Sequence, residues 1–144
     1  MTKRLFVAAA IAAFATVPAH AVGPVTVTLD VSLGDDVADY AVCDVAVPAG
    51  SDGFVVLDAA IASGCIDSYD AIDFGGAYGR FLTCIDGICG QDAPTWALPV
   101  PVAYAGTTWN FTIDDAFASV GLETYEVHAG DEVGLTYAPY AFPA

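Results

Sequence analysis

From Val25 to Leu33 the chain alternates without a break: Val25, Val27, Leu29, Val31 and Leu33 fall on one side, Thr26, Thr28, Asp30 and Ser32 on the other. A two-residue period of this kind is the pattern of a strand with one buried face. Glycine and acids in "LGDDVAD" then mark a turn. "AVCDVAV" (Ala41 to Val47) alternates again and sets Cys43, Val45 and Val47 on the inner face, and residues 48–53 read as loop. The period changes in "FVVLDAAIASG", where Val56, Leu57, Ala60 and Ile61 recur at helical spacing and Gly64 supplies a C-terminal stop. Further on, "DFGGAYG" reads as loop, "RFLTCI", "TWALPV" and "TTWNFTI" as strands, and Pro99 and Pro101 give the second an edge or irregular character. "GLETYEVHAGDEVGLTY" predicts a hairpin, with Tyr125 and Val127 running up, Gly130-Asp131 turning, and Val133, Leu135 and Tyr137 running back. One helix among several strands, with no internal repeat, makes a small α+β domain.

The N-terminus stands apart from that pattern. Lys3 and Arg4 precede an apolar run from Leu5 to Val17, and Ala19-His20-Ala21 supplies a small-x-small cleavage site. These are the three parts of a secretory signal, so residues 1–21 are expected to be removed and residues 22–144 to form one exported domain. The apolar run is shorter than the ~20 residues of a membrane span, and no second one follows, so no span is expected after cleavage. The expected location is secreted, periplasmic or at the cell surface.

Removing the leader also removes Lys3 and Arg4. The full chain has three basic residues, 18 acidic ones and a net charge of −15, and the mature chain is two units more negative, with Arg80 its lone Lys or Arg. Such a field repels phosphate backbones and anionic headgroups, which excludes nucleic acid and membrane surfaces as partners, and it attracts cations. Arg80 is expected to pair with neighbouring carboxylates.

Cys43, Cys65, Cys84 and Cys89 remain, an even number in an oxidising compartment. Asp86-Gly87 suits a two-residue hairpin turn, whose two central positions both take positive φ. Cys84 and Cys89 then face each other across the hairpin at ~4.5–5.5 Å between Cα atoms, a separation that a disulfide bridges. Cys43 and Cys65 are left as the second pair, stapling the helix end to the sheet. Spending all four thiols on architecture leaves no metal or redox site at these positions.

The order of these segments resembles the C-terminal β-domain of the cobalamin carriers transcobalamin and intrinsic factor, and the bacterial secreted domains related to it. The resemblance rests on Val55-Val56-Leu57-Asp58-Ala59-Ala60, on Ile85-Asp86-Gly87, on a tryptophan strand placed at Trp96, and on Gly130-Asp131 followed by Val133, Leu135 and Tyr137. It implies a β-grasp-like fold, a curved sheet around one helix, and a non-catalytic binding role. In that family the tryptophan strand is aromatic and ends in Asn-Gly, whereas "WALPVPVAYAG" follows Trp96 here. Cobalamin enters as a ligand only through the resemblance; the residues themselves call for no cofactor. An unknown small ligand and an extracellular protein or glycan both stay open as partners.

Tyr78, Trp96 and Trp109 are the ligand-contact candidates, with Trp96 placed on a packed strand and Tyr78 and Trp109 in segments expected at the surface. The hydrolase alternative rests on His128, the one histidine of the mature chain. No Gly-x-Ser-x-Gly accompanies it, and in so acidic a chain adjacent carboxylates such as Asp35-Asp36 and Asp114-Asp115 carry little information. "GGAYGR" lacks the Lys-Ser/Thr of a phosphate loop, and Asn110-Phe111-Thr112 is a glycosylation sequon.

Overall fold

The computed structural model describes residues 23–34, 39–77, 79–94 and 104–142, with side chains described for 23–34, 39–77, 79–91 and 106–139. The alternating segments form β1 (Val25–Ser32) and β2 (Ala41–Val47), an antiparallel pair in which Leu29 faces Cys43. Val27, Leu29 and Val31 are fully buried, as the two-residue period requires.

The helix α1 (Gly53–Ala62) begins where the Asp52 carboxylate accepts the backbone N–H groups of Phe54 and Val55, which have no partner inside the helix. It ends where Gly64 takes φ 76°, a conformation that costs an L-residue and not glycine. Phe54, Val56, Leu57 and Ala60 are fully buried and join the β1 and β2 side chains in one core. Immediately beyond the helix, Cys65 is bonded to Cys43 with Cα atoms 6.3 Å apart.

The C-terminal half builds a second layer of pairing. β3 (Tyr69–Asp73), β4 (Arg80–Ile85) and β5 (Ile88–Cys89) form a three-stranded antiparallel sheet. Asp86 and Gly87 turn between β4 and β5 with φ 49° and 77°. Cys84 opposes Cys89 there, and the two are disulfide-bonded with Cα atoms 4.0 Å apart. β6 (Gln91–Pro94), β7 (Tyr104–Ile113), β8 (Ala116–Phe117) and β9 (Glu132–Phe142) complete the larger sheet. Its order is β2-β1-β9-β7-β6, with β8 folded back on β7. β1 and β9 are parallel, Thr28 beside Glu132 and Val31 beside Leu135, and every other pairing is antiparallel.

Two expectations are corrected. The hairpin expected over 121–137 does not form: β9 pairs with β1 and β7, and residues 122–128 are turn and irregular chain. Val127 is buried, but its N–H donates to the Ser51 carbonyl and its own carbonyl accepts from Gly50, so this stretch pairs with the loop before α1. The Asp131 carboxylate curls the connection by accepting both the Tyr125 hydroxyl and the His128 N–H, each at 2.8 Å. In addition, β3 is a strand that the periodicity missed. The strand expected at "TWALPV" lies outside the described residues.

Candidate functional site

Five large apolar side chains remain in water on one side of the molecule: Ile72 is 50% exposed, Phe74 62%, Phe81 52%, Phe117 79% and Val120 41%. Isolated exposed apolar residues are ordinary; a contiguous set is not. All five line one groove of ≈ 690 Å³ between the two sheets. Ile72 faces Phe81 across the β3–β4 pair, Phe74 follows the end of β3, and Phe117 and Val120 come from β8 and the chain after it. The turn that carries Phe117 into place is Asp114-Asp115, with φ 50° and 65°, so the β7–β8 hairpin is as tight as the β4–β5 one. Leu82, Trp109, Leu122 and Leu135 are buried residues at its lining, with Thr83, Thr108 and Asn110 as its neutral polar groups.

Trp109 is a correction. It was expected at the surface and is 5% exposed. Its Nε1–H donates to the Ile88 carbonyl at 3.0 Å, its ring packs on Tyr137 with centroids 5.2 Å apart, and the Tyr137 hydroxyl donates to the Cys89 carbonyl at 3.0 Å. Both aromatics therefore tie the disulfide-closed hairpin to the large sheet. Trp109 contributes to the groove wall from a fixed position. Tyr78 and Trp96 lie outside the described residues.

Arg80 lies at the groove with its charge already engaged. Its Nε is 3.2 Å from Glu123 Oε1, its backbone N–H donates to Oε2 of the same carboxylate, and its guanidinium carbon sits 4.2 Å from the centre of the Phe54 ring. The pair is partly exposed, so its contribution to stability is small. Its effect is positional: Glu123 holds the segment after β8 against the start of β4 and closes one flank of the groove.

The remaining polar groups are built as supports. His128 is exposed, with Nδ1 3.6 Å from Asp131 Oδ2, beyond hydrogen-bonding distance, and it is absent from the groove lining. Burial, and then the bond to Asp131, push the Tyr125 hydroxyl up to about 12, so it stays a donor at any physiological pH. The Ser51 and Ser63 hydroxyls are spent on the Pro48 and Ala60 carbonyls. Among the described residues no cluster of three or more His, Cys, Asp or Glu could hold a metal ion, and no helix is long and apolar enough to cross a membrane.

Sequence reasoning named none of the five rim residues. The available signal was two segments, "DAIDFGG" and "DDAFASV", in which Ile72, Phe74, Phe117 and Val120 stand among turn-forming and acidic residues; Phe81 lies instead in "RFLTCI". No curated protein matches the chain. Among solved structures, the crystal structure of haptocorrin in complex with Cbi is similar, with a TM-score of 0.62 at 20% identity over 83% of this chain and 26% of that one. The likeness is one of fold, and this chain spans about a quarter of the haptocorrin chain. The family model described as Domain of unknown function (DUF4430) matches residues 60–138, more than half of the chain, and the protein belongs to that family.

Proposed function

We propose that this protein is an exported, non-catalytic binding module that seats a small ligand in the groove between its two sheets. The observation that carries the proposal is the convergence of Ile72, Phe74, Phe81, Phe117 and Val120 on that groove. Folding leaves them 41–79% exposed although buried positions exist for residues of their kind, and the groove volume falls in the range of ligand pockets, ~300–1,000 Å³. Export rests on the leader at residues 1–21, with residues 22–144 as the mature domain, and the two disulfides fit an oxidising compartment. The fold reads as β-grasp-like: a parallel pair of first and last strands, an antiparallel strand on each flank, and one helix crossing after β2.

A corrinoid such as cobalamin is the ligand that the likeness to haptocorrin suggests. Mature protein is titrated with cyanocobalamin while absorbance and intrinsic fluorescence are followed. Saturable binding that weakens at least tenfold in the Phe74→Ser/Phe81→Ser variant supports both the groove and the ligand class. No spectral or thermal shift dismisses the corrinoid, and binding that the double variant leaves intact dismisses the groove as its site. A second reading, an extracellular protein or glycan partner, is favoured by Phe117 and Phe74, which stand furthest into solvent at the rim.

A further inference from the structure

The groove opens on an unfinished strand edge. Along its outer side β7 is paired by β6 from Tyr104 to Thr107 and by β8 at Thr112 and Ile113. Among the described residues no strand lies on that side of Thr108, Trp109, Asn110 or Phe111, and these four line the groove. The gap is about 13 Å long at ~3.3 Å per residue. In an antiparallel strand the N–H and C=O of one residue point to the same edge, and successive residues alternate. The Ala118 N–H donates to the Phe111 carbonyl at 3.2 Å, so Trp109 and Phe111 face outward while Thr108, Asn110 and Thr112 face β9. The Trp109 N–H, the Trp109 carbonyl and the Phe111 N–H therefore point into the gap, where no backbone partner meets them among the described residues. Proteins ordinarily blunt such an edge with lysine, proline or a bulge. In this acidic chain β7 carries no charged residue and no proline from Tyr104 to Ile113, and its register with β9 is unbroken. The opposite wall is less open: on β4 the Arg80 N–H donates to Glu123 and the Thr83 carbonyl accepts the Gly90 N–H.

Resting on the groove reading above, we infer that the occupant is an extended peptide segment, which adds a short strand to the outer edge of β7 between β6 and β8. Main-chain hydrogen bonds to Trp109 and Phe111 hold it, as in other cases of strand addition. Its alternate side chains are apolar, to meet the Phe81 and Phe117 rings that share the groove. Its flanks are neutral or basic, since a net charge of −15 repels an acidic segment before contact.

Amide hydrogen exchange read by NMR tests the edge before any ligand is added. The N–H groups of Thr108, Asn110 and Thr112 should exchange roughly tenfold or more slowly than those of Trp109 and Phe111, although all belong to one strand. Slow exchange at Trp109 and Phe111 in the free protein overturns the open edge, and protection there that grows with protein concentration makes the occupant a second copy of this chain instead. The probe is a capped peptide with lysine at each end of an alternating Val-Thr-Val-Thr-Val, titrated into mature protein at low ionic strength. Binding is expected to slow exchange at Trp109 and Phe111. Methylating the peptide's backbone nitrogens along one edge should weaken it about tenfold, and along the other edge leave it unchanged. No binding, or two methylated forms of equal affinity, overturns the strand addition. A form with glutamate for both lysines that binds equally well overturns the charge preference alone. The groove reading fails separately: peptide or cyanocobalamin binding that Phe74→Ser/Phe81→Ser leaves intact, with circular dichroism showing the variant folded, places the site elsewhere. Cyanocobalamin binding that this variant weakens, with no peptide bound, keeps the groove and removes the strand.

Discussion

Replacing Cys43 and Cys65 together with alanine tests how the helix is held to the sheet. The bond joins residues 22 apart in sequence. On the chain-entropy estimate, closing a loop of that size removes about 11 cal/mol/K from the unfolded chain, or about 3.4 kcal/mol at 25 °C. The Cys84–Cys89 bond spans five residues, and the same estimate gives it only about 2 kcal/mol. Both Cys43 and Cys65 are half-buried, so truncation leaves little cavity to add to the figure. α1 keeps its Asp52 cap and its four fully buried residues, and the variant is expected to fold. With an unfolding entropy of ~2.1 cal/mol/K per residue over ~120 residues, the melting temperature should fall by roughly 10–15 °C. Urea unfolding followed by far-ultraviolet circular dichroism measures the loss directly, with the Cys84→Ala/Cys89→Ala variant alongside. A loss under about 1 kcal/mol, or a larger global loss from the short bond than from the long one, would refute the assignment of the longer closure as the stabilising staple.

Gly53→Ala perturbs both the helix start and the groove wall. A Cβ there would stand 2.9 Å from the Leu122 carbonyl oxygen that accepts the Gly53 N–H, and nearer still to the Leu122 side chain. Overpacking of this kind costs about 1–3 kcal/mol; a urea midpoint equal to the parent's would show that the contact yields freely. Asp30→Asn tests the acidic side of the sheet. Burial, then the charges of Asp39 and Asp115, raise the Asp30 pKa above its ordinary 3.8, and its Oδ1 is buried without a hydrogen-bond partner. Ionisation therefore disfavours the folded state: the stability is fully present below pH 3.8 and is lost as pH rises through the raised value. The asparagine variant should melt higher than the parent at pH 7 and gain nothing at low pH, and an unchanged or lower melting temperature at pH 7 would contradict this.

The sequence was readable wherever one face of an element meets the core. β1 is the clearest case, because Val27, Leu29 and Val31 are fully buried and Thr26 is exposed between them and solvent. The Asp86-Gly87 turn was readable for a different reason, since its backbone requirement is local. β3 was not, because Tyr69 and Ala71 are only half-buried while Asp70, Ile72 and Asp73 are exposed; long-range pairing with β4 holds it, and no local periodicity reports that. Tyr125 and Val127 misled because alternation records which side chains go inward, and it is silent on which strand, if any, lies alongside. The groove was invisible for a related reason: Ile72 and Phe117 come from different sheets, and only the folded chain makes them neighbours. Trp109 was misplaced because the partner of its indole N–H is the Ile88 carbonyl, a backbone atom from another sheet.

The side-by-side, same-direction pairing of β1 with β9 has a consequence for how the molecule comes into being. Thr28 cannot find Glu132 until the chain has been made as far as β9, so the central seam must wait for a strand about a hundred residues away. Contacts this remote in sequence slow the search for the native state. Until β9 is in place, β1 has only β2 alongside it, and the interior that the larger sheet covers stays open.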